Sequence, residues 1–177
     1  MISLGSLLGV SKKAPSGAAP IWKAEDFVSG YLTQKSLGSV SKTKGGGVPE
    51  QQLKPVELFL IEDNPADVVL IWHVLAESGM KVKVHIAIDG QQALQMLTEP
   101  HFEPSLIVLD LNIPKIPGLN LLERWPTKIP VVVFSSSTDE REKQRALELG
   151  ASEFVLKSLD LGEFSESVCG MIRKWAA

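Results

Sequence analysis

The sequence predicts an α/β domain in which helices cover both faces of a doubly wound, five-stranded parallel sheet. From Val56 onwards, short runs rich in Val, Ile and Leu alternate with helical stretches, and this alternation occurs five times. Several of the strand-like runs are almost continuously apolar, which is typical of strands buried on both faces. Residues 1–54 instead contain clusters of Gly, Ser, Lys and Pro with little apolar surface. The sequence therefore divides into a mostly disordered extension, residues 1–54, and one domain, residues 55–177.

The predicted elements follow from local signals. Between the first two strands, Asn64-Pro65 indicates a helix start and Gly79 its end, so the first helix should cover residues 65–78. The strands are expected at residues 56–62, 82–88, 106–110, 131–135 and 153–157, and the second and third helices near residues 91–97 and 119–125.

The last two helices have recognisable ends. The fourth helix should start after Ser137 or Thr138, with Glu140 completing a capping box, and it should end at Gly150. Right-handed crossovers between these elements give a doubly wound sheet, for which the flavodoxin-like order 2-1-3-4-5 is adopted by analogy. In the last helix Asp160 and Glu163 play the capping parts, and its apolar stripe consists of Phe164, Val168, Met171, Ile172 and Trp175.

The charge and the targeting signals limit the class of protein. Residues 1–54 carry seven Lys and three acidic residues, whereas residues 55–177 carry eleven Lys and Arg against eighteen Asp and Glu. Nucleic-acid binding depends on basic patches, so no nucleic acid is expected as a partner of the acidic domain. Within the extension, residues 21–32 could form a short helix. Alternatively, this segment could be upstream sequence that is translated but has no use in the protein.

A cytoplasmic location is expected. The single cysteine, Cys169, excludes an internal disulfide and suits a reducing compartment. The apolar residues 2–10 precede Lys12 and Lys13, whereas a secretory signal places its positive charge first. This stretch is also much shorter than the roughly 20 residues that cross a bilayer. No membrane association is therefore expected.

The residues that close the predicted strands indicate the chemistry, because ligands of open parallel sheets bind beyond the carboxyl ends of the strands. Three carboxylates at one edge would repel one another unless a cation lay between them. Mg²⁺ fits best, since it binds one or two carboxylates, waters and a phosphoryl oxygen. The three histidines share no spacing that suggests zinc. The closing residues are Glu62 and Asp63 for strand 1, Asp110 for strand 3, Ser135 and Ser136 for strand 4, and Lys157 for strand 5.

Asp110 is the candidate nucleophile of this edge. A cation beside its carboxylate would neutralise the charge that develops on a transferred phosphoryl group. The Ser135 hydroxyl and the Lys157 ammonium could then bind the remaining phosphoryl oxygens.

The segments VELFLIEDNPADVVL, SLIVLDLNIPKIPG, IPVVVFSSS and GASEFVLKS resemble the four signature blocks of response-regulator receivers. The resemblance covers residues 56–177. It implies that Glu62 and Asp63 are the acidic metal pair, that Asp110 is the phosphoacceptor, and that Asn112 is a metal ligand through its backbone carbonyl. It implies a signalling protein that is not an enzyme, with only self-catalysed phosphorylation and slow autodephosphorylation.

The same resemblance assigns switch and tuning positions. Ser135 and Lys157 match the family's switch hydroxyl and its lysine, and Phe154 matches the aromatic residue that moves inward on phosphorylation. Asn112 and Ser137 match the positions that tune how fast the phosphoryl group is lost.

The resemblance also suggests partners. The Asp-Leu-Asn-Ile-Pro loop and the long final helix are most similar to small stand-alone regulators paired with phytochrome-type histidine kinases. A histidine kinase or a phosphotransfer protein is therefore expected as the phosphoryl donor. Since the sequence leaves no room for an output domain after the fifth helix, output should occur by association. A homodimer through helix 4, strand 5 and helix 5, and docking to another protein, are both open.

Two departures from the family pattern concern loops. Ser158 follows Lys157 where the family usually has proline, and a cis bond without proline costs about 2.5–4 kcal/mol against about 0.5–1 kcal/mol before proline. The Lys157-Ser158 bond is therefore expected to be trans. The second departure is Ile116-Pro117-Gly118, where an Asp-Gly pair is commoner.

Other functions and plainer interpretations stay open. One is an inactive pseudo-receiver that acts only as an interaction module. Another is a phosphohydrolase of the haloacid-dehalogenase type, against which Asn112 argues because it stands where that family has its second carboxylate. Singly, Glu62 and Asp63 could be surface charges, Ser137 a turn residue, and Phe154 an ordinary partly buried aromatic side chain.

Overall fold

The computed structural model describes residues 22–23, 55–125 and 128–176. In the domain, five strands and five helices alternate along the chain, as the sequence predicts. The strands are β1 (Val56–Ile61), β2 (Val82–Ala87), β3 (Leu106–Leu109), β4 (Val131–Ser135) and β5 (Glu153–Leu156). The helices are α1 (Pro65–Glu77), α2 (Gly90–Leu97), α3 (Gly118–Arg124), α4 (Glu140–Glu148) and α5 (Leu161–Trp175).

The five strands are parallel and lie in the order β2-β1-β3-β4-β5, which confirms the predicted order 2-1-3-4-5. Ile61, the last residue of β1, pairs with Ala87 on β2 and with Leu109 on β3. The carboxyl ends of these three strands are therefore level. The four strands β1, β2, β3 and β5 end one residue earlier than predicted.

A sixth, very short strand lies at the outer edge of β2. Trp22–Lys23 pairs with β2 in the antiparallel sense, with Trp22 opposite Ile86 and Lys23 opposite His85. At these two residues the helix considered for residues 21–32 is wrong, because their backbone is extended. The edge of β2 presents backbone groups that an extended segment can pair with. The other residues of the predicted extension lie outside the described part of the chain.

The sheet separates two apolar cores, because successive side chains of a strand point to opposite faces. On one face, Leu58 and Leu60 of β1 pack with the buried sides of α1 and α5. On the other face, Phe59 and Ile61 pack with residues of α2, α3 and α4. The predicted stripe of α5 is confirmed, since Phe164, Val168, Met171 and Ile172 are buried and Trp175 packs against the same core.

Most predicted helix ends are confirmed. Asn64 caps α1, where its side chain accepts a hydrogen bond from the Ala66 N–H. Gly79 and Gly150 follow α1 and α4 with positive φ, which glycine adopts at little cost.

Two details of capping differ from the prediction. The capping residue of α4 is Asp139, whose carboxylate accepts from the Arg141 N–H, so the predicted Ser137–Glu140 capping box is wrong. The Asp139 side chain is short enough for its carboxylate to accept from this helix N–H directly, as capping residues do. At α5, Asp160 accepts from the Glu163 N–H as predicted. Ser158 connects this cap, because its hydroxyl accepts from the Asp160 N–H and donates to Glu163.

The loop after β5 has no cis peptide bond, and the Lys157-Ser158 bond is trans, as predicted. Among the described residues, no helix combines the length and hydropathy that crossing a membrane would require.

Candidate functional site

Three carboxylates converge at the carboxyl edge of the sheet. Glu62 and Asp63 follow β1, and Asp110 follows β3. One carboxylate oxygen from each lies within 4.8 Å of the other two. Glu62 is 1% exposed and Asp110 is 7% exposed. The predicted acidic cluster is therefore brought together, with two of its members almost out of contact with water.

Lys157 lies among these carboxylates, at the end of β5. Its ammonium Nζ is 2.6 Å from Glu62 Oε2, 2.8 Å from Asp110 Oδ2 and 2.8 Å from Asp67 Oδ2. The ammonium is thus an internal cation that offsets part of the repulsion predicted for this edge. The backbone also holds Lys157 here, since its N–H donates to the Ser135 carbonyl at 2.8 Å.

Asp67 is a site residue that the sequence analysis missed. It belongs to the first turn of α1, which starts at the carboxyl edge of the sheet directly after β1. An acidic residue in the first turn of a helix that follows an acidic strand end was the available signal.

Burial and the neighbouring charges shift the pKa values of the site. Burial raises the pKa of Glu62 to about 7, although the Lys157 charge opposes this shift. Burial and the Asp110 charge raise the pKa of Asp63. For Lys157, burial would lower the pKa, but the Glu62 charge and hydrogen bonds to the carboxylates raise it above its usual value. The site thus confines negative charge that a cation would stabilise.

The oxygen donors fit a hard divalent cation. Glu62, Asp63 and Asp110 offer carboxylate oxygens within reach of one another, the donor type that Mg²⁺ and Mn²⁺ accept. A cation bound there would share Glu62 and Asp110 with the Lys157 ammonium.

The loop after β3 places Asp110. The Asn112 N–H donates to Asp110 Oδ1 at 3.1 Å. The Gly118 N–H donates to the Leu111 carbonyl at 3.0 Å, and a Cβ added at Gly118 would lie 2.7 Å from the Asp110 carbonyl oxygen. Glycine at this position allows α3 to begin directly against the backbone of the candidate nucleophile.

A second contact fastens the same loop to α2. The Lys115 ammonium is 2.6 Å from Asp89 Oδ2. The backbone of Lys115 has a φ of 65°. Asp89 also caps α2 by accepting from the Gln92 N–H. The Gly90 N–H donates to the Pro114 carbonyl. The sequence analysis did not identify this pair, although Asp89 stands where a helix cap is common.

The predicted hydroxyl and aromatic positions lie near the edge but differ in surroundings. Ser135 is fully buried, and its hydroxyl accepts from the Ser137 N–H at 3.3 Å. The Ser137 hydroxyl donates to Glu142 on α4. Phe154 is partly buried against the core that α2, α3 and α4 cover. Asn112 is exposed.

Comparison with known proteins identifies relatives along most of the domain. The family model of the response regulator receiver domain matches residues 58–168. Response regulator Rcp1 of Synechocystis sp. is 32% identical over 131 residues, which cover 68% of this chain and 89% of Rcp1. Transcriptional regulatory protein PrrA of Mycobacterium leprae is 31% identical, over 67% of this chain but only 51% of PrrA.

Solved structures show the same fold. The crystal structure of the phosphorylated cyanobacterial phytochrome response regulator RcpA has a TM-score of 0.63 and 35% identity, covering 69% of this chain and 94% of that chain. The Mn²⁺-bound form of Rcp1 has a TM-score of 0.62 and 32% identity, covering 69% of this chain and 95% of that chain. With the family model matching more than half of its residues, the chain belongs to the response regulator receiver domain family.

Proposed function

We propose that this protein is a stand-alone response regulator that accepts a phosphoryl group on Asp110 and signals by a change in protein–protein association. The main support is that Glu62, Asp63 and Asp110 each place a carboxylate oxygen within 4.8 Å of the other two. The Lys157 ammonium also lies 2.8 Å from Asp110 Oδ2. The 89% coverage of Rcp1 supports the stand-alone arrangement.

The proposed reaction is a transfer between two carriers. An Asp110 carboxylate oxygen attacks the phosphorus atom and forms an O–P bond. The bond from phosphorus to the donor breaks, and the donor leaves with that electron pair, as acetate when the donor is acetyl phosphate. Lys157 binds a phosphoryl oxygen by a charge-assisted hydrogen bond. The Ser135 hydroxyl is proposed to bind another.

We propose Mg²⁺ as the resident cation, held by Glu62, Asp63, Asp110 and the Asn112 carbonyl. When bound, it would neutralise charge on the phosphoryl group. The relation to Rcp1, which has been solved in a Mn²⁺-bound form, supports the binding of a divalent cation. As parts of the same proposal, Phe154 is the aromatic switch residue. Asn112 and Ser137 tune how fast the phosphoryl group is lost.

Labelling with acetyl phosphate tests the phosphoacceptor. The wild type should gain one phosphoryl group, detected as a mass increase that hydroxylamine removes, and only with Mg²⁺ present. Asp110→Asn should stay unlabelled with its fold intact, because the amide keeps the shape but lacks the nucleophile. The matched control is Asp160→Asn, whose amide still caps α5, and it should label like the wild type.

The outcomes of this experiment separate the alternatives. Labelling of Asp110→Asn at the wild-type rate would refute the assignment of the acceptor. A wild type that folds but takes no label would favour an inactive pseudo-receiver. Repeated turnover of a phosphate ester would favour a phosphohydrolase.

We propose a phytochrome-type histidine kinase, or a phosphotransfer protein, as the donor in a cytoplasmic signalling pathway. The relation to RcpA, itself described as a phytochrome response regulator, supports this choice. For output we propose the surface formed by α4, β5 and α5, as a homodimer or as a dock for another protein. Exposed Leu147 on α4, Leu156 on β5 and Leu161 on α5 support association there. Sedimentation analysis before and after acetyl-phosphate treatment distinguishes a homodimer from a monomer.

A further inference from the structure

We propose that Asp67 is a positioning residue that holds the Lys157 ammonium beside Asp110. This inference rests on the proposed phosphorylation of Asp110 and deepens it. Asp67 reaches the site from α1, and its Oδ2 lies 2.8 Å from Lys157 Nζ. The side chains of Lys157 and Asp67 are 8% and 24% exposed, so this ion pair is largely withdrawn from water.

The three carboxylates around Lys157 do not have equal tasks. A lysine ammonium has three donors, and the three hydrogen bonds go to Glu62, Asp67 and Asp110. Asp110 is the group that would react, and Glu62 belongs to the cluster that could bind a cation. Asp67 is the partner of Lys157 that has neither task. Its hydrogen bond to Lys157 can therefore persist while Asp110 reacts and Glu62 binds a cation.

Lys157 needs such a partner because its side chain is long. The ammonium sits on a flexible four-carbon stem, and its position is set by what it binds. When Asp110 becomes an acyl phosphate, its free carboxylate is lost as a partner of the ammonium. Asp67 then holds one side of the ammonium, and the remaining donors can turn to the phosphoryl oxygens.

Asp67 does not have to be present for α1 to be capped. The cap of this helix is Asn64, which accepts from the Ala66 N–H. Asp67 can still stabilise the helix dipole as a first-turn acid. The test must therefore separate an effect through Lys157 from an effect on α1.

The test measures the Mg²⁺-dependent labelling rate with acetyl phosphate. Asp67→Asn should label about ten-fold more slowly than the wild type, the size expected for weakening one hydrogen bond to a charged group. The matched control is Glu77→Gln, which removes one negative charge from the exposed end of the same helix and should label at the wild-type rate. A wild-type rate for Asp67→Asn would overturn the inference.

A double-mutant cycle tests whether Asp67 acts through Lys157. In the Lys157→Met background, Asp67→Asn should cause no further slowing. Equal slowing in both backgrounds would mean a structural role only and would overturn the inference. If the wild type takes no label, the proposed function fails and this inference fails with it. If the wild type takes label but Asp67→Asn labels at the same rate, only this inference fails.

If Lys157→Met fails to fold, two other measurements still test the inference. Asp67→Glu, which restores the carboxylate, should label faster than Asp67→Asn, and equal rates would contradict the inference. In the metal-free protein, nitrogen-15 NMR should show faster exchange of the Lys157 ammonium protons in Asp67→Asn than in Glu77→Gln. Unchanged exchange would contradict a positioning role.

Discussion

At the residue scale, the candidate phosphoacceptor depends on a backbone contact behind it. Gly118 begins α3 where its Cα lies against the loop, and an added Cβ would meet the Asp110 carbonyl oxygen and the Leu111 Cα at 2.7 Å each. Both of these are backbone atoms, so they cannot move aside as the end of a side chain would. The glycine therefore matters for packing and for the placement of Asp110.

We predict that Gly118→Ala destabilises the domain by about 1–3 kcal/mol, the usual cost of overpacking, and slows acetyl-phosphate labelling. Gly170→Ala is the matched control, since outside the local helix backbone and the adjacent residues the added Cβ would meet nothing within 4 Å. Gly170 lies inside α5, so alanine there should stabilise by about 0.5–1 kcal/mol. Urea unfolding measures both changes. Equal effects of the two substitutions would show that the contact at Gly118 is unimportant.

At the element scale, the C-terminal end of α5 is tied to the start of β5. The Trp175 indole N–H donates to Glu153 Oε2 at 2.6 Å, and the Lys174 ammonium donates to Oε1 at 3.0 Å. The hydrogen bond from Trp175 lowers the pKa of Glu153 below its ordinary value of 4.5, against the effect of burial. These contacts help to keep α5 on the sheet next to the strand that Lys157 follows.

We predict that Glu153→Gln is less stable than the wild type near neutral pH, by about 1 kcal/mol or less. A carboxyl with a depressed pKa in the folded state stabilises the protein above its unfolded pKa, and this contribution is lost as the pH falls through the folded pKa. The difference between the two proteins should therefore be present at neutral pH, begin to shrink near the ordinary pKa of 4.5, and vanish only below the lowered pKa of the folded state. Urea unfolding at several pH values measures it, and a difference independent of pH would contradict the assignment.

At the scale of the whole molecule, the described residues that form the two cores on the faces of the sheet all lie within 56–176. Of the preceding residues, the structure describes Trp22–Lys23, which adds a two-residue strand to the outer edge of β2. It lies at the opposite edge of the sheet from β5, the strand that Lys157 follows. The domain should therefore keep its fold and its site without the preceding residues.

We predict that a truncation starting at Gln51 folds and is labelled by acetyl phosphate at a rate within about two-fold of the full chain. The reason is that the described part of the removed residues adds a two-residue edge strand, whereas the described core residues lie within 56–176. Circular dichroism and mass spectrometry measure this. Loss of folding or of labelling would show that residues 1–50 are structural. Gel filtration also reports whether the uncovered edge of β2 pairs with a second copy.

The sequence by itself determined the five-fold alternation, the order of the elements and the residues at each strand end. These depend on local signals: the apolar runs, the Asn64 cap and the position of Asp110 directly after a buried strand. The edge of a parallel sheet then brings strand ends together whatever the details of the loops. The carboxylate cluster and the place of Lys157 were predictable for this reason.

Only the tertiary structure decided which side chains bind one another at that edge. Asp67 and Lys157 are separated by 90 positions, and no local pattern specifies that one ammonium takes three carboxylates. The Asp89–Lys115 pair and the strand at Trp22–Lys23 likewise depend on neighbours that are distant in sequence. The physical reason is that periodicity and caps describe the backbone of each element, whereas these contacts depend on how α1, the loops and the sheet edge pack against one another.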